Sequence, residues 1–427
     1  MGRQDSFDLE AVEFYVRSAM LAAGARVVER LLHGLATGRQ KEPCLCAHGH
    51  RSRKMDSDGV RGKTLQTILG PVGFERSRYV CPVCQDPAYP GDRLLGVVGT
   101  CQSPGMRRLM TRAGSQESFE AAAQDLLLYG SIHADPKEIE RVTEQTGRLI
   151  DDWMGREASA ALLGAGADGA RERIAHLDIA LDGTGAPMCP SELVGRKGKG
   201  EDGHAKTREV KLGCVFTHTV DKKGDPVRDP ASTSYVGAIE SSADFANRLY
   251  GEAVRRGLAR ADQVSVLSDG AEYNATIARE KFPQAIHILD FYHACEHLSN
   301  FVKANTAHPV GGPFHGECYD FLYDGRIEEL LDRMREGLPR SGTRRTEGLK
   351  AINYFAERKE MMRYGEFRRK GLFVGSGVIE AGCKTVIGKR IKQSGMFWTV
   401  AGANAVTAAR CCIASGRFEQ FWEDAGA

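Results

Sequence analysis

The stretch RIAHLDIALDGTG, residues 173–185, decides the fold class, and DQVSVLSDG, residues 262–270, repeats its pattern. Each is a short apolar run that ends in Asp-Gly, which is typical of a buried strand followed by a turn. Two further strands are predicted between them, at residues 208–221 and 232–240, and alternating helices and strands follow. Three early strands before such an alternation indicate an α/β fold, with a mixed sheet and helices packed on it.

Outside this sheet the predicted structure changes several times along the chain. Residues 7–35 have apolar residues at helical spacing. Farther on, Ser118 can cap one helix and Pro136 suits the first turn of the next, an outline shared by DNA-reading helix-turn-helix motifs and by many other helical hairpins. We predict six segments: an N-terminal helix at 1–40, a zinc-ribbon-like module at 41–100, a helical segment with the helix-turn-helix outline at 101–170, the first part of the sheet domain at 171–300, an all-α insertion at 301–372, and closing helices at 373–427.

The composition is that of a globular protein. The 427 residues carry a net charge of +2, and 42% of them are hydrophobic. No apolar run approaches the ~18 residues that span a membrane, and the N-terminal stretch lacks the apolar core of an export signal. We therefore expect a cytoplasmic protein without a membrane partner. In such a compartment the 12 cysteines are expected to be metal ligands where they cluster and core residues where they are scattered.

Clustered cysteines and histidines occur twice, as Cys44-Leu-Cys46-Ala-His48-Gly-His50 and as Cys81-Pro-Val-Cys84. Two thiolates in a Cys-x-x-Cys spacing can face one tetrahedral zinc ion, so Cys81 and Cys84 are predicted ligands. Cys44 and Cys46 are the first-choice partners in a four-sulfur site. Because the first pair is Cys-x-Cys, replacement of one sulfur by His48 or His50 stays open. Four protein ligands leave no open position, so the predicted role of Zn²⁺ is structural.

Three acids stand at the ends of predicted elements. Asp182 and Asp269 each follow a buried strand, and Glu380 lies near the start of a predicted helix in FVGSGVIEAGCK. Three carboxylates suit Mg²⁺ or Mn²⁺, and two such ions can activate an attacking oxygen and stabilise a leaving oxygen at phosphorus. If the three act together, the Glu380 carboxylate should lie within one cation's reach of both aspartates. Asp178 shares the strand face of Asp182, so spacing alone does not choose between them, and Asp-Gly is also a plain turn signal.

Five longer stretches occur in order: LDGTGAPM (181–188), GRKGKGEDGHAKTREVKLGCVFT (195–217), VLSDGAEYN (266–274), HILDFYHACEHL (287–298) and GSGVIEAGCKTVIGKRIKQSGMFWT (375–399). Together they resemble bacterial insertion-sequence transposases of the ISKra group, which are Asp-Asp-Glu enzymes similar to the Mutator-like branch. The resemblance covers residues 40–420. It implies an RNase H-like core, interrupted by an all-α insertion, that catalyses DNA strand cleavage and strand transfer.

The resemblance also implies roles and partners. Asp182, Asp269 and Glu380 would be the catalytic, metal-binding acids, with gaps of 87 and 111 residues, the second holding the insertion. Asp290 and His293 would match a family signature near the active site. The alternative is that His293 and His297, four residues apart, only line one face of a helix. By analogy, the chain would bind transposon inverted repeats and target DNA, as a homodimer or larger assembly.

Cations close to these motifs are the predicted DNA contacts: Arg196, Lys197, Lys199, Lys384, Lys389, Arg390 and Lys392. In a DNA enzyme such side chains meet phosphates and supply salt-dependent affinity. Trp398 could stack on an unpaired base or lie in a helix-packing core. The competing interpretation of the whole chain is a non-catalytic, zinc-containing DNA-binding protein on a transposase-derived scaffold, in which the acids are structural.

Overall fold

The computed structural model describes residues 8–36, 44–50, 54–164, 172–198 and 203–426. The chain divides into two compact units, Met1–Thr146 with Trp422–Ala427, and Gly147–Phe421. The described residues form a mixed α/β structure with many helices, as the sequence predicted. None of the described helices is long and apolar enough to cross a membrane.

The first unit begins with one long helix and a small sheet: α1 (Leu9–Ala36), β1 (Asp56–Thr67), β2 (Gly70–Val80), β3 (Pro87–Ala88) and the short α2 (Pro90–Leu94). β1 and β2 form an antiparallel hairpin that closes at Thr67 and Gly70. Gly70 has a φ of +114°, which glycine adopts without the steric cost that other residues meet. Leu65 and Phe74 face a small core with Val97.

Three helices follow: α3 (Pro104–Gln116), α4 (Phe119–Gly130) and α5 (Pro136–Leu162). The hydroxyls of Ser103 and Ser118 each accept a hydrogen bond of 3.1 Å from a first-turn N–H, so they cap α3 and α4. The predicted helix start at Pro136 is confirmed, and α4 ends at Gly130. The helices share a core of buried apolar residues: Met106, Met110, Ala122, Leu126, Ile132, Ile139 and Val142.

The sheet of the second unit consists of β4 (Ile174–Pro187), β5 (Thr207–Val220), β6 (Pro226–Arg228), β7 (Ser234–Ala238), β8 (Ala261–Ser268) and β9 (Ile286–Leu289). β5 pairs antiparallel with β4 and also with β6 and β7. β8 pairs parallel with β4, and β9 pairs parallel with β8. The order across the sheet is therefore β7, β5, β4, β8 and β9. β6 pairs with the same edge of β5 as β7 does, farther along the strand.

β4 is longer than the sequence predicted. The expected turn after Asp182 does not end the strand, which stays paired with β5 as far as Pro187. The prediction of a turn was wrong because Gly183 and Gly185 allow residues of β5 to lie close to β4, and they do not reverse the chain. A Cβ on Gly183 would lie 2.4 Å from Glu209 Oε1, and one on Gly185 would also be crowded by β5, at 3.0 Å.

The helices of the second unit after β7 are α6 (Ser242–Arg255), α7 (Glu272–Lys281), α8 (Phe291–Asn305), α9 (Pro313–Asp324), α10 (Ile327–Glu336), α11 (Thr343–Glu357), α12 (Tyr364–Arg369), α13 (Gly377–Gly382), α14 (Lys389–Ile391) and α15 (Val400–Ala414), and α16 (Phe418–Gly426) begins in it. α6 and α15 pack against β7, and α13 packs against β4 and β5. Between α13 and α14 the chain forms a π-helical turn, Cys383–Gly388, a feature frequent at functional sites.

Gly147, in α5, marks a close backbone contact with α15. A Cβ at this position would lie 2.2 Å from the carbonyl oxygen of Ala405. Alanine in place of a helical glycine ordinarily stabilises a protein by about 0.5–1 kcal/mol, but here two backbones would have to separate. We expect Gly147→Ala to lower the free energy of unfolding by about 1–3 kcal/mol, measured by chemical unfolding. Gly155→Ala in the same helix is the matched control, because a Cβ there meets nothing within 4 Å. Equal stability of the two variants would contradict the contact.

Candidate active site and metal centre

Asp182 and Asp269 lie at the same level of two neighbouring strands. The last parallel pair of β4 and β8 is Leu181 with Ser268, and each aspartate is the next residue along its chain. Neighbours in a parallel register lie side by side and point to the same face of the sheet. The Asp269 carboxylate is oriented by buried Asn274, whose Nδ2 donates to Oδ1 at 2.6 Å.

Glu380, the third acid, lies in α13. The Ser376 hydroxyl donates to Glu380 Oε1 at 2.9 Å. The Ser376 N–H donates to Asp290 Oδ2 at 2.5 Å, and Asp290 Oδ1 accepts from the His293 N–H at 2.6 Å. Asp290 is 1% exposed, so this buried carboxylate ties the start of α8 to the segment that carries Glu380. Asp290 and Glu380 therefore both contact Ser376, and His293 contacts Asp290 through its N–H.

The charges of the other two acids act on Asp182. Burial is the largest cause that raises the pKa of Asp182, and the charges of Asp269 and Glu380 raise it further. Hydrogen bonds from the Gly183 N–H and the Cys383 thiol act in the opposite direction. The side chains of Cys383, Asn274 and Ser376, which donate to Asp182, Asp269 and Glu380 respectively, are all neutral. A divalent cation would neutralise the negative charge of such a group of carboxylates.

The spacing of the three acids is wider than the ligand shell of one ion. Among the residues that the structure describes, groups of three or more ligand atoms within 4.8 Å of one another occur only in the cysteine module. The expectation that Glu380 lies within one cation's reach of both aspartates is therefore wrong at this spacing. Two ions roughly 3.5–4 Å apart would span a wider ligand set than one ion does.

Asp178, the rival for the first acid, has a different environment. It is 1% exposed, accepts a hydrogen bond from Ser265 Oγ at 2.5 Å and is bonded to His218 Nδ1. His218 in turn binds the carbonyl oxygen of Gly371 through Nε2 at 3.0 Å. These contacts satisfy Asp178 inside the core. The pKa of Asp182, by contrast, is raised by burial and by the charges of Asp269 and Glu380.

In the cysteine module, four ligand atoms lie within 4.8 Å of one another, those of Cys46, His50, Cys81 and Cys84. Cys46 Sγ is 3.5 Å from His50 Nδ1 and 3.5 Å from Cys84 Sγ. Cys81 Sγ is 3.8 Å from His50 Nδ1. Zinc bond lengths of about 2.0–2.3 Å place the ligands of a tetrahedral ion about 3.3–3.8 Å apart. These donors could therefore bind zinc.

Cys44 is not part of this group, so its predicted role as a zinc ligand is corrected. Its Sγ lies 3.7 Å from Met55 Sδ, and its carbonyl oxygen accepts from the Met55 N–H at 3.0 Å. His50 takes its place because the chain turns after Cys46. Gly49 has a φ of +78°, and its N–H donates to Cys46 O at 3.3 Å, which brings His50 back beside the Cys46 sulfur.

No protein-family model matches the chain, and no curated protein matches it. Among solved structures, the Drosophila P element transposase strand transfer complex is similar at 10% sequence identity, over 76% of this chain and 95% of that chain, with a TM-score of 0.35. A similarity of this size establishes neither a shared fold nor a shared function.

Glu209 and Tyr273 also border Asp182, although the sequence singled out neither. The Tyr273 hydroxyl donates to Glu209 Oε1 at 3.2 Å. A Cβ on Gly183 would lie 2.4 Å from that oxygen and 2.8 Å from Tyr273 Oη. Burial is the main cause that raises the pKa of Tyr273, and the charges of Glu209 and Asp269 add to it. The signal in the sequence was Gly183, because a glycine within a strand marks a close approach.

A second neighbour of Asp269 comes from α11. The Tyr354 ring stacks on the His297 ring with centroids 4.2 Å apart, and Arg358 Cζ lies 4.2 Å from the Tyr354 centroid. Burial raises the pKa of Tyr354, with Arg358 lowering it and Asp269 raising it. The His293 ring is 6.0 Å from that of His297. Both histidines therefore lie along one side of α8, and His297 is the one that contacts this group.

The predicted DNA-contacting residues differ in their exposure to solvent. Five of them are exposed: Arg196, Lys197, Lys384, Lys389 and Lys392. Arg390 and Trp398 are 0% and 6% exposed, so their predicted DNA contacts are wrong. The Arg390 guanidinium lies 4.9 Å from the Trp398 ring, and Trp398 Nε1 donates to Ile391 O at 2.9 Å, which makes both residues part of the helix packing. Lys199 lies outside the described residues.

Proposed function

We propose that this chain is a DNA transposase that cuts and joins strands in a metal-dependent reaction on an RNase H-like core. The observation that carries the proposal is that Asp182 and Asp269, 87 residues apart in the chain, follow directly after the paired residues Leu181 and Ser268 of two neighbouring strands. The charges of Asp269 and of Glu380, 111 residues farther on, both raise the pKa of Asp182. The sheet supports it, because four strands with antiparallel pairing, β4 to β7, come first in the chain, and two parallel strands, β8 and β9, extend the sheet from β4. Both aspartates follow the pairing of those central strands.

The three acids would hold Mg²⁺ or Mn²⁺. Such ions, when bound, activate an attacking oxygen and stabilise the leaving oxygen of an in-line displacement at phosphorus. The chain itself supplies position: Asn274 orients Asp269, and Ser376 orients Glu380. No side chain needs to form a covalent bond. In cutting, water attacks phosphorus and the 3′-oxygen leaves with a proton; in joining, that 3′-hydroxyl attacks a phosphate of the target strand and displaces its 3′-oxygen.

Exposed lysines beside the acids fit a DNA partner. Lys384, Lys389 and Lys392 are exposed on the helical run that follows Glu380. The Lys392 ammonium donates to Thr184 Oγ1, so a positive charge lies on β4 two residues beyond Asp182. Phosphates on either side of a cut would meet these charges, which would supply salt-dependent affinity.

We assign the enzyme to the ISKra group on the five ordered motifs. The zinc module and the helical segment of residues 101–170 would then recognise inverted repeats, with zinc in a structural role. Transposases act on paired ends, so a homodimer or larger assembly would form on DNA, in the cytoplasm. Glu209 and Tyr273 would border the bound strand, because they lie against Gly183.

The test is cutting and joining by the full chain. The substrate is a plasmid that carries the DNA on both sides of the chain's own gene, where the inverted repeats of an insertion sequence lie. With Mg²⁺ or Mn²⁺ we expect breaks that leave 3′-hydroxyl ends, and joining of those ends to a second plasmid; EDTA should abolish both. Pre-cut ends with a 3′-hydroxyl should join, whereas matched 3′-deoxy ends should not. DNA that is bound but never cut, with either metal, would contradict the proposal and favour the non-catalytic zinc-containing DNA-binding protein.

A further inference from the structure

One tyrosine hydroxyl of the all-helical stretch lies against the backbone next to Asp269. Gly270 follows Asp269 in the chain, and a Cβ built on Gly270 would lie 1.9 Å from Tyr354 Oη. The hydroxyl therefore occupies the space that any side chain at Gly270 would fill. Glycine within a strand end often marks such an approach of another group. The contact places an oxygen from α11 directly beside a candidate catalytic acid.

The tyrosine ring is held by its neighbours. It stacks on His297, with centroids 4.2 Å apart, and Arg358 Cζ lies 4.2 Å from its centroid. Arg358 also donates from Nη1 to the Tyr354 carbonyl oxygen at 3.3 Å and from Nη2 to the Gly270 carbonyl oxygen at 3.5 Å. These contacts join α8, α11 and the end of β8. They hold the hydroxyl beside Gly270, the residue that follows Asp269.

The hydroxyl itself is unused within the described chain. Tyr354 Oη is buried, and no described group donates to it or accepts from it. Buried polar atoms nearly always have a hydrogen-bond partner, so an exception calls for an explanation. Tyrosine is protonated at neutral pH, and the hydroxyl therefore has a proton to donate. A negatively charged ligand at the neighbouring acids would supply the missing acceptor.

We propose that Tyr354 donates a hydrogen bond to a non-bridging phosphate oxygen of the DNA strand bound at Asp182 and Asp269. His297 and Arg358 are positioning residues for its ring, and the Arg358 guanidinium adds positive charge beside the phosphate. This inference rests on the proposed function, because it requires a phosphodiester at the acids. It gives the helical insertion a direct contact with the reacting strand.

Tyr354→Phe tests the contact, because it removes the hydroxyl and keeps the ring that stacks on His297. We expect kcat/KM for cutting of the plasmid described above to fall about 10- to 100-fold, the range for a hydrogen bond to a charged group, with an unchanged melting temperature. Tyr319→Phe in α9 is the matched control and should leave cutting unchanged. A phosphorothioate of one configuration at the cut position should slow the wild-type chain, and Tyr354→Phe should largely lose this effect.

The outcomes separate the two proposals. If the wild-type chain cuts while Tyr354→Phe cuts equally well, the tyrosine contact is wrong and the transposase remains. If Tyr354→Phe is slower but keeps the full phosphorothioate effect, the hydroxyl acts on folding or on another group, and the contact is again wrong. If the wild-type chain does not cut with either metal, the proposed function fails and the contact fails with it. Loss of both rate and phosphorothioate effect in Tyr354→Phe alone supports the inference.

Discussion

Replacing Asp269 with asparagine is expected to abolish metal-dependent cutting while leaving the fold intact. Asp269 Oδ1 accepts hydrogen bonds from the Ala271 N–H at 3.1 Å and from Asn274 Nδ2 at 2.6 Å, and an asparagine oxygen can accept both. What the substitution removes is the negative charge that would hold a cation. We expect a loss of about a thousandfold or more in the rate of strand cutting, the upper range for loss of one electrostatic group from an active site.

Asp262→Asn is the matched control, because Asp262 lies in the same strand, β8, and the chemical change is identical. Its carboxylate is half-exposed and pairs with Arg173 rather than with the acids. We expect wild-type cutting from this variant. Asp182→Asn and Glu380→Gln should be as inactive as Asp269→Asn, and the double variants should lose little more, because groups that act as a unit are not additive. Full activity of Asp269→Asn would remove this carboxylate from the reaction.

Substitution of Cys81 by serine is expected to remove zinc and unfold the small sheet of the first unit. Cys81 is 0% exposed, and its sulfur lies within 4.8 Å of three other donor atoms. Structural zinc sites contribute on the order of 10 kcal/mol to the folded state, more than a three-stranded sheet with a small core supplies by itself. Metal analysis should show a fall from about one zinc per chain to none, and thermal unfolding should show an early transition that a chelator reproduces in the wild-type chain.

Three further variants distinguish the ligand sets. His50→Ala should lose zinc, because His50 Nδ1 contacts the sulfurs of both Cys46 and Cys81. Cys44→Ser should keep zinc, since Cys44 lies against Met55. His48→Ala should also keep it, because His48 pairs with exposed Asp86 at 2.9 Å; with Cys84 these two form only a second, more exposed group of ligand atoms. Loss of zinc from Cys44→Ser together with its retention in His50→Ala would restore the four-sulfur site.

Much of the local structure was predictable from the sequence because short-range patterns control it. Helix caps such as Ser118 act on backbone within three residues, and Pro136 starts a helix because its fixed φ suits the first turn. The apolar runs before Asp182 and Asp269 predicted two buried strands, which pair in parallel. The glycines after Asp182 led to the wrong prediction of a turn. In a sequence, glycine is typical both of a turn and of a close contact with a neighbouring chain segment.

The sequence did not predict which individual residues of a helix are buried. Lys389, Arg390 and Lys392 are neighbours in the chain and carry the same charge, yet only Arg390 is buried. The π-helical turn just before them changes which residues of the run face the core, because it adds a residue to one turn of the helix. Composition alone gave no sign of that change.

By itself, the sequence determined the α/β class, the strand that carries Asp182, the strand that Asp269 follows and the helix that carries Glu380, because hydrophobic periodicity and capping act over a few residues. Only the tertiary structure decided that His50 rather than Cys44 joins the cysteine cluster, that Trp398 is buried, and that the hydroxyl of Tyr354 reaches Gly270. These are contacts between residues far apart in the chain. Strand register and helix packing set such contacts, and neither is encoded within a short stretch of residues.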